Sequence, residues 1–181
     1  MEERDAGMQY TSRYESPLGG ILLMADGEGL TGLWFAEGQR AAGHGLPADA
    51  AEEDGGALDG ARRWLDIYFS GRDPGFTPRL HLTGSPFRVR VSELLLEIPF
   101  GETATYGELA RRIAAERGIA RMSAQAVGSA VGANPIALIV PCHRVVGTGS
   151  SLTGYGGGLW RKEALLRLEG GWQDRFVLPK G

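Results

Sequence analysis

Cysteine is almost missing from this chain: Cys142 is the only one in 181 residues. One thiol allows no internal disulfide and no cysteine-rich zinc site, and it suits a reducing compartment such as the cytoplasm. Long apolar runs are missing too. None reaches the roughly 18 residues that a membrane span needs, so no membrane association is expected. The chain opens on the acidic Met-Glu-Glu-Arg-Asp, not on a basic and then apolar segment, so no secretory leader is expected. A large net charge is also lacking, but the value of −3 conceals a division. Residues 1–105 carry 9 basic and 17 acidic side chains, and residues 106–181 carry 10 basic and 5 acidic. A basic C-terminal part fits contact with a polyanion and equally fits drift in surface composition.

In the first part, Tyr10–Tyr14, Ile21–Ala25 and Leu30–Phe35 read as antiparallel strands. They are separated by Ser-Pro-Leu-Gly-Gly and by Asp26-Gly27-Glu28-Gly29. Residues 37–56 are rich in Gly, Ala and acid without period, which predicts a mobile surface loop. Leu58, Ala61, Trp64, Leu65 and Tyr68 recur at helical spacing, and the helix is expected to end near Ser70-Gly71. No catalytic constellation is visible here.

Ser85-Pro86 is an N-cap followed by proline at the first helical position, ahead of an apolar face of Phe87, Val91, Leu94, Leu95 and Ile98. Thr105-Tyr106-Gly107-Glu108 has the form of a capping box, and its helix buries Leu109, Ala110, Ile113 and Ala114 before Gly118. Ser123 can cap a second helix reaching about Val131. The pair fits a helix-turn-helix or an ordinary helical hairpin. The second helix is small-faced: Ala124, Gln125, Ala126, Gly128, Ser129, Ala130. Glycine costs helix stability, so such a face implies close helix packing or close approach to a narrow ligand.

The chain is organised around Ile139–Gly147. The apolar run Ile136–Val140 predicts a buried strand or extended segment, and Pro141 ends it, placing Cys142 where that segment opens into a turn. His143 and Arg144 follow, and a nearby cation or imidazole favours thiolate over thiol. Alone, the pair fits a core thiol as well as a nucleophile. Residues 147–158 form a Gly/Ser/Thr-rich loop with one aromatic, Tyr155, which could wall a pocket. A last helix is expected over about Leu159–Leu168, with Leu165 and Leu168 inward and Trp160 a candidate to join them.

Four stretches together carry a resemblance: Thr-Tyr-Gly-Glu-Leu-Ala at 105–110, Ala-Val-Gly-Ser-Ala-Val-Gly-Ala-Asn-Pro at 126–135, Val-Pro-Cys-His-Arg-Val-Val-Gly at 140–147 and Ser-Leu-Thr-Gly-Tyr-Gly-Gly-Gly-Leu at 151–159. In order and spacing they resemble the O6-alkylguanine-DNA alkyltransferase family, closely over about residues 85–170 and in outline before that. The resemblance implies an α/β N-terminal domain with an antiparallel sheet, over 1–83. It implies a mainly α-helical C-terminal domain with a winged-helix-like helix-turn-helix, over 84–181. It implies a cytoplasmic, monomeric repair protein that flips O6-alkylguanine out of double-stranded DNA and moves the alkyl group irreversibly to its own cysteine. O4-alkylthymine is left open as a second substrate.

Position by position, the resemblance makes Cys142 the acceptor, His143 its base through a water, and Glu163 the carboxylate orienting His143. Tyr106 matches a donor to the departing guanine, and Asn134 a hinge between recognition helix and active-site segment. Ser123, Ala124, Gln125, Ala126, Gly128 and Ser129 fall on the DNA-facing helix. Val145, Tyr155, Gly156 and Gly157 fall on the guanine pocket. Arg144 reads as structural. No cofactor and no metal is implied. Gln125 stands where many members place an arginine that fills the gap left by the flipped base, and Ser92 and Arg88 depart from the usual tryptophan and glutamine. Two other readings compete: an alkyltransferase-like module that grips lesions without repairing them, which would lack the cysteine, and a cysteine hydrolase, for which no oxyanion hole is specified.

Overall fold

The computed structural model describes residues 8–37, 51–52, 56–152 and 154–177. They fall into two compact units, one drawn from residues 8–83 with Pro135–Ala137, the other from Gly84–Asn134 with residues 138–177.

In the first unit, strands β1 (Tyr10–Ser16), β2 (Gly19–Ala25) and β3 (Leu30–Phe35) are antiparallel neighbours. The β1–β2 register runs from Tyr10 opposite Ala25 to Ser16 opposite Gly19, leaving Pro17-Leu18 as the turn. Between β2 and β3, the Asp26 carboxylate accepts from the backbone N–H groups of Glu28 (2.8 Å) and Gly29 (3.1 Å), which is how an acidic residue replaces backbone pairing in a tight turn. A short strand β4 (Ala51–Glu52) pairs parallel to β1, giving the order β3-β2-β1-β4. That strand falls inside the stretch expected to be a loop; residues 38–50 and 53–55 lie outside the described residues. Helix α1 (Gly56–Phe69) buries Leu58, Ala61, Trp64, Leu65 and Tyr68, the face its spacing predicts. It packs on β1, β2 and β3 over Ile21, Leu23, Leu30 and Leu33, all fully buried. Residues 135–137 complete this unit: Leu33 N–H donates to Pro135 O at 2.9 Å and Ala137 N–H to Leu33 O at 3.0 Å.

The second unit begins with α2 (Pro86–Leu96), capped by Ser85 Oγ, which accepts from Arg88 N–H at 3.2 Å. Helix α3 (Tyr106–Arg117) starts with a complete capping box. Thr105 Oγ1 accepts from Glu108 N–H at 3.1 Å, and the Glu108 carboxylate accepts from Thr105 N–H at 2.9 Å. It ends at Gly118, whose left-handed φ of 64° side chains avoid. After a short connection, α4 (Ala124–Gly132) starts on Ser123, whose Oγ accepts from Ala126 N–H. Helices α3 and α4 pack together as a helix-turn-helix, and α2 packs against α4. On the surface, Arg90 of α2 reaches Glu116 of α3 and Arg112 of α3 reaches Glu97, tying those helices by exposed charge pairs.

The segment before Cys142 departs from expectation. Ile136, Leu138, Ile139 and Val140 are buried, but beyond the single bridge of Ile136 to Leu33 they run as irregular turns, not a strand. Leu138 has φ 68°, the only non-glycine residue with positive φ among the described residues. A leucine there is strained, so a regular ladder could not continue through it. Periodicity reports burial and cannot distinguish a strand from a buried turn in so short a run.

The unit closes with α5 (Leu159–Leu168). Its inward face is Arg161, Lys162, Leu165, Leu166 and, one residue beyond the helix, Glu169. Trp160, a candidate for the core, is 56% exposed and lies against the Arg161 guanidinium. The face is therefore rotated from the one that aliphatic spacing alone suggests, and it carries three charged side chains inward.

Candidate active site

Cys142 sits on a single 3₁₀ turn, Cys142–Arg144, set up by the preceding proline. Cys142 N–H donates back to Val140 O at 2.8 Å across Pro141 (φ −83°, ψ 67°), an inverse γ-turn. Arg144 N–H donates to Pro141 O at 3.0 Å, and Val145 N–H to Cys142 O. The turn leaves Cys142 half-buried and drives His143 to full burial. Adjacent side chains that would oppose each other on a strand are thus held on one tight loop.

The end of α4 is tied to this loop. Asn134, buried, donates its side-chain N–H to Val140 O at 2.8 Å. On the other side, strand β6 (Val145–Val146) pairs parallel with β5 (Ala104–Thr105), setting Ala104 beside Val145 and Thr105 beside Val146. Tyr106 is the next residue, the first of α3. Two elements distant in sequence, the start of α3 and the cysteine turn, are therefore joined by one two-residue ladder. The half-buried Tyr106 ring lies over Gly128 of α4, where a β-carbon would come 3.7 Å from it. That distance is ordinary contact, so packing does not require the glycine.

Behind the cysteine, the buried Glu169 carboxylate collects donors. His143 donates Nε2–H to Oε2, and Arg144 donates Nε–H to Oε1 at 2.6 Å. Gly101 N–H also points to Oε1, at 3.3 Å. Arg144 further donates to Ile98 O at 2.7 Å, so its charge is spent inside the fold, as a structural role requires. Gly101 has φ 83°, and a β-carbon on it would press on Glu169 O at 3.0 Å; this close turn lets the loop meet the helix end. Glu163 does not take part. Its carboxylate accepts from Arg167 one turn along α5 at 3.0 Å, on the outer side of the helix. The assignment of Glu163 as the partner of His143 is thus corrected to Glu169, six residues on. The reason is the rotated face: positions 161, 165 and 169 line the inside at four-residue spacing, and 163 falls between. A glutamate next to Gly170-Gly171 after a helix was the available sequence signal.

Burial pushes the His143 imidazole below its ordinary pKa, and the Arg144 and Lys162 charges push the same way, against the Glu169 carboxylate. Near neutral pH the ring is therefore neutral, with Nε2–H fixed on Glu169 and the lone pair on the buried Nδ1. Tyr155 is held protonated: burial first, then its neighbours Cys142 and Glu169, raise its pKa well above the ordinary tyrosine value, against the opposing pull of Arg161. Its hydroxyl is buried with no hydrogen-bond partner. A buried donor without an acceptor is costly. Gly156 is exposed and Gly157 half-buried in the same loop, with Gly157 O accepting from Arg161 at 2.7 Å. Val145 is buried.

On the helix-turn-helix, Ser123, Ala124, Gln125, Ala126 and Ser129 are exposed, while Val127, Ala130 and Val131 face the core. A groove of about 500 Å³ runs beside them, lined by Gly107, Ala110, Arg111, Arg121, Met122 and Ala124 among others. Among the described residues no group of three or more His, Cys, Asp or Glu could hold a metal ion, and no helix is long and apolar enough to cross a membrane.

Residues 86–171 match the family described as 6-O-methylguanine DNA methyltransferase, DNA binding domain, and residues 9–82 match its ribonuclease-like domain. A curated relative from Mycobacterium tuberculosis, named methylated-DNA--protein-cysteine methyltransferase, is 46% identical over 157 residues, covering 86% of this chain and 88% of its own. One of the same name from Methanosarcina acetivorans is 44% identical over 161 residues, covering 89% and 98%. The crystal structure of Mycobacterium tuberculosis OGT in complex with DNA is similar with a TM-score of 0.74 and 42% identity, over 94% of this chain and 95% of that one.

Proposed function

The chain belongs to the 6-O-methylguanine DNA methyltransferase family, and from that premise we propose that it repairs alkylated DNA by taking the alkyl group onto Cys142. The observation that carries this reading is the half-buried Cys142 on a turn backed by a neutral His143 fixed on Glu169. Residues 84–181 do this work and residues 1–83 serve as scaffold. The protein acts as a monomer, and the single thiol suits the cytoplasm.

The lesion is an alkyl group on guanine O6, inside the base stack, so the nucleotide must leave the duplex to meet Cys142. The exposed face Ser123, Ala124, Gln125, Ala126 and Ser129 meets a groove of the DNA duplex. Gly128 and Gly132, where a β-carbon would clash with nothing, support a helix kept slim for its partner. Gln125 enters the space the base vacates. Asn134 couples that helix to the active-site segment through Val140.

The thiol proton passes through a water to His143 Nδ1, and Glu169 stabilises the imidazolium that forms. Cys142 Sγ attacks the alkyl carbon, forming the S–C bond as the C–O6 bond breaks and its electron pair returns to the guanine. Tyr106 donates a hydrogen bond to the departing base, offsetting the charge that would otherwise make it a poor leaving group. Val145, Tyr155, Gly156 and Gly157 surround the ring. The product is a thioether with no carbonyl for water to attack, so one protein molecule is consumed per lesion.

The test is incubation with a duplex holding O6-methylguanine, followed by intact and peptide mass measurement. One methylene mass on the Cys142 peptide, and none with Cys142→Ala, is the expected result. Catalytic turnover of an ester or amide without any mass gain would replace this reading with a cysteine hydrolase.

A further inference from the structure

Tyr155, Gly156, Gly157 and Gly158 form a four-residue turn, closed by Gly158 N–H donating to Tyr155 O at 2.9 Å. Both central residues are glycine, so the chain itself restricts this turn little. It runs straight into α5, whose N-cap, Gly158, has no side chain to fix the helix start. Two consecutive residues of α5 take hold of the turn instead. Arg161, 4% exposed, donates Nη1–H to Gly157 O at 2.7 Å, and its backbone N–H donates to Gly158 O at 3.1 Å. The Trp160 ring lies along Gly158, where a β-carbon would come 3.2 Å from Cδ1 and 3.3 Å from Nε1. The Arg161 guanidinium carbon stands 4.4 Å from the centroid of that same ring. One guanidinium thus joins the turn carbonyl to the indole face, where a cation is attracted by the ring electrons.

We propose that Arg161 and Trp160 are positioning residues for lesion recognition: together they clamp the Tyr155–Gly158 turn in the shape that receives the guanine. This rests on the reading of Tyr155, Gly156 and Gly157 as the wall of the guanine pocket. A wall built of glycines loses much conformational entropy if it is ordered only when the ligand arrives. A turn ordered beforehand avoids that loss on binding, so the clamp favours the base that fits. The planar guanidinium can meet Gly157 O with one N–H while its flat face lies on the indole, which an ammonium cannot do. Trp160 is 56% exposed, and its place against Gly158 gives that exposed ring a use. Gly158 has φ 94°, a conformation that side chains avoid, so the turn and the ring fit each other only with glycine there. The clamp acts on the pocket wall. Its loss therefore weakens the distinction between lesion and guanine and leaves the thiol as reactive as before.

The experiment has two arms. The first, without DNA, follows hydrogen exchange of the Gly158 amide by NMR. Exchange is expected to be at least about tenfold faster in Arg161→Met and about threefold faster in Trp160→Ala, with Arg161→Lys, which keeps a donor, in between. The second arm compares affinity for a duplex holding one O6-methylguanine with affinity for the same duplex holding guanine, in a Cys142→Ala background. The preference for the lesion is expected to fall by at least about fivefold in Arg161→Met, and in the same direction in Trp160→Ala. Affinity for the unmodified duplex, and iodoacetamide alkylation of Cys142 where that residue is kept, should stay within about twofold of the parent. Gly158 exchange or lesion preference within about twofold of the parent in both variants overturns the proposal. A fall in thiol reactivity and unmodified-duplex affinity alongside the preference marks general loss of structure, and overturns it too. If Arg161→Met does not fold, Trp160→Ala, changed at an exposed position, decides both arms. A parent that takes no methyl group on Cys142 fails the alkyl-transfer reading, while Gly158 exchange still decides the clamp.

Discussion

His143 is backed by Glu169, a residue one step beyond α5, and the two are buried together with Arg144 on the second carboxylate oxygen. The arrangement fixes the tautomer of His143 and spends the Arg144 charge in one stroke.

That pairing separates two glutamates on one helix. Glu169→Gln keeps the shape but removes the charge that stabilises the imidazolium, so single-turnover transfer should slow by about 10²–10³-fold. Leaving Arg144 buried beside a neutral amide should also cost about 3 kcal/mol or more in stability. Glu163→Gln, which loses only its surface pairing with Arg167, should leave transfer within about twofold and stability within about 0.5 kcal/mol. Equal effects of the two substitutions would refute the assignment.

Tyr106→Phe keeps the ring against Gly128 and removes the donor. Transfer should fall by about 10–10⁴-fold while lesion affinity holds. Rapid-quench rates within about twofold of the parent would make Tyr106 a packing residue.

Gln125 is exposed on α4 and carries no charge. Gln125→Arg should tighten duplex binding, and each phosphate it reaches should steepen the log–log salt slope by about 0.9. The measurement is affinity across salt in a Cys142→Ala background. If Gln125→Arg and Gln125→Ala both match their parent throughout, position 125 does not meet DNA.

The folded pKa of His143 lies below the ordinary 6.5. The unfolded chain therefore binds the extra proton first as pH falls, so stability is complete above about 6.5 and is lost below it, by at most about 1.4 kcal/mol per pH unit for one proton. Denaturant melts between pH 7 and 5.5 should show this loss in the parent and a smaller one in His143→Gln. The window lies above the ordinary carboxylate range, where Asp26 and Glu116 are held lower still.

Much of this protein is determined by local sequence. The caps at Ser85, Thr105 and Ser123, the glycine stop at Gly118 and the apolar face of α1 follow from interactions within one turn of chain, and each stands where those residues predict. Pro141 before Cys142 likewise dictates the turn that presents the thiol. Tertiary structure decided what depends on helix rotation and on pairing between distant segments. Aliphatic spacing pointed α5 inward through Leu165, Leu168 and Trp160. The fold turned it so that Arg161, Lys162 and Glu169 are inside: the cysteine turn presents His143 and Arg144 to Glu169 and Val145 O to Lys162, and the loop before the helix presents Gly157 O to Arg161. No periodicity of apolar residues can announce a face whose burial is satisfied by ions. The β5–β6 ladder that brings Tyr106 beside the cysteine turn, and the left-handed Leu138 that breaks the expected strand, also depend on contacts about 40 residues apart or on strain held by packing, which no local pattern records.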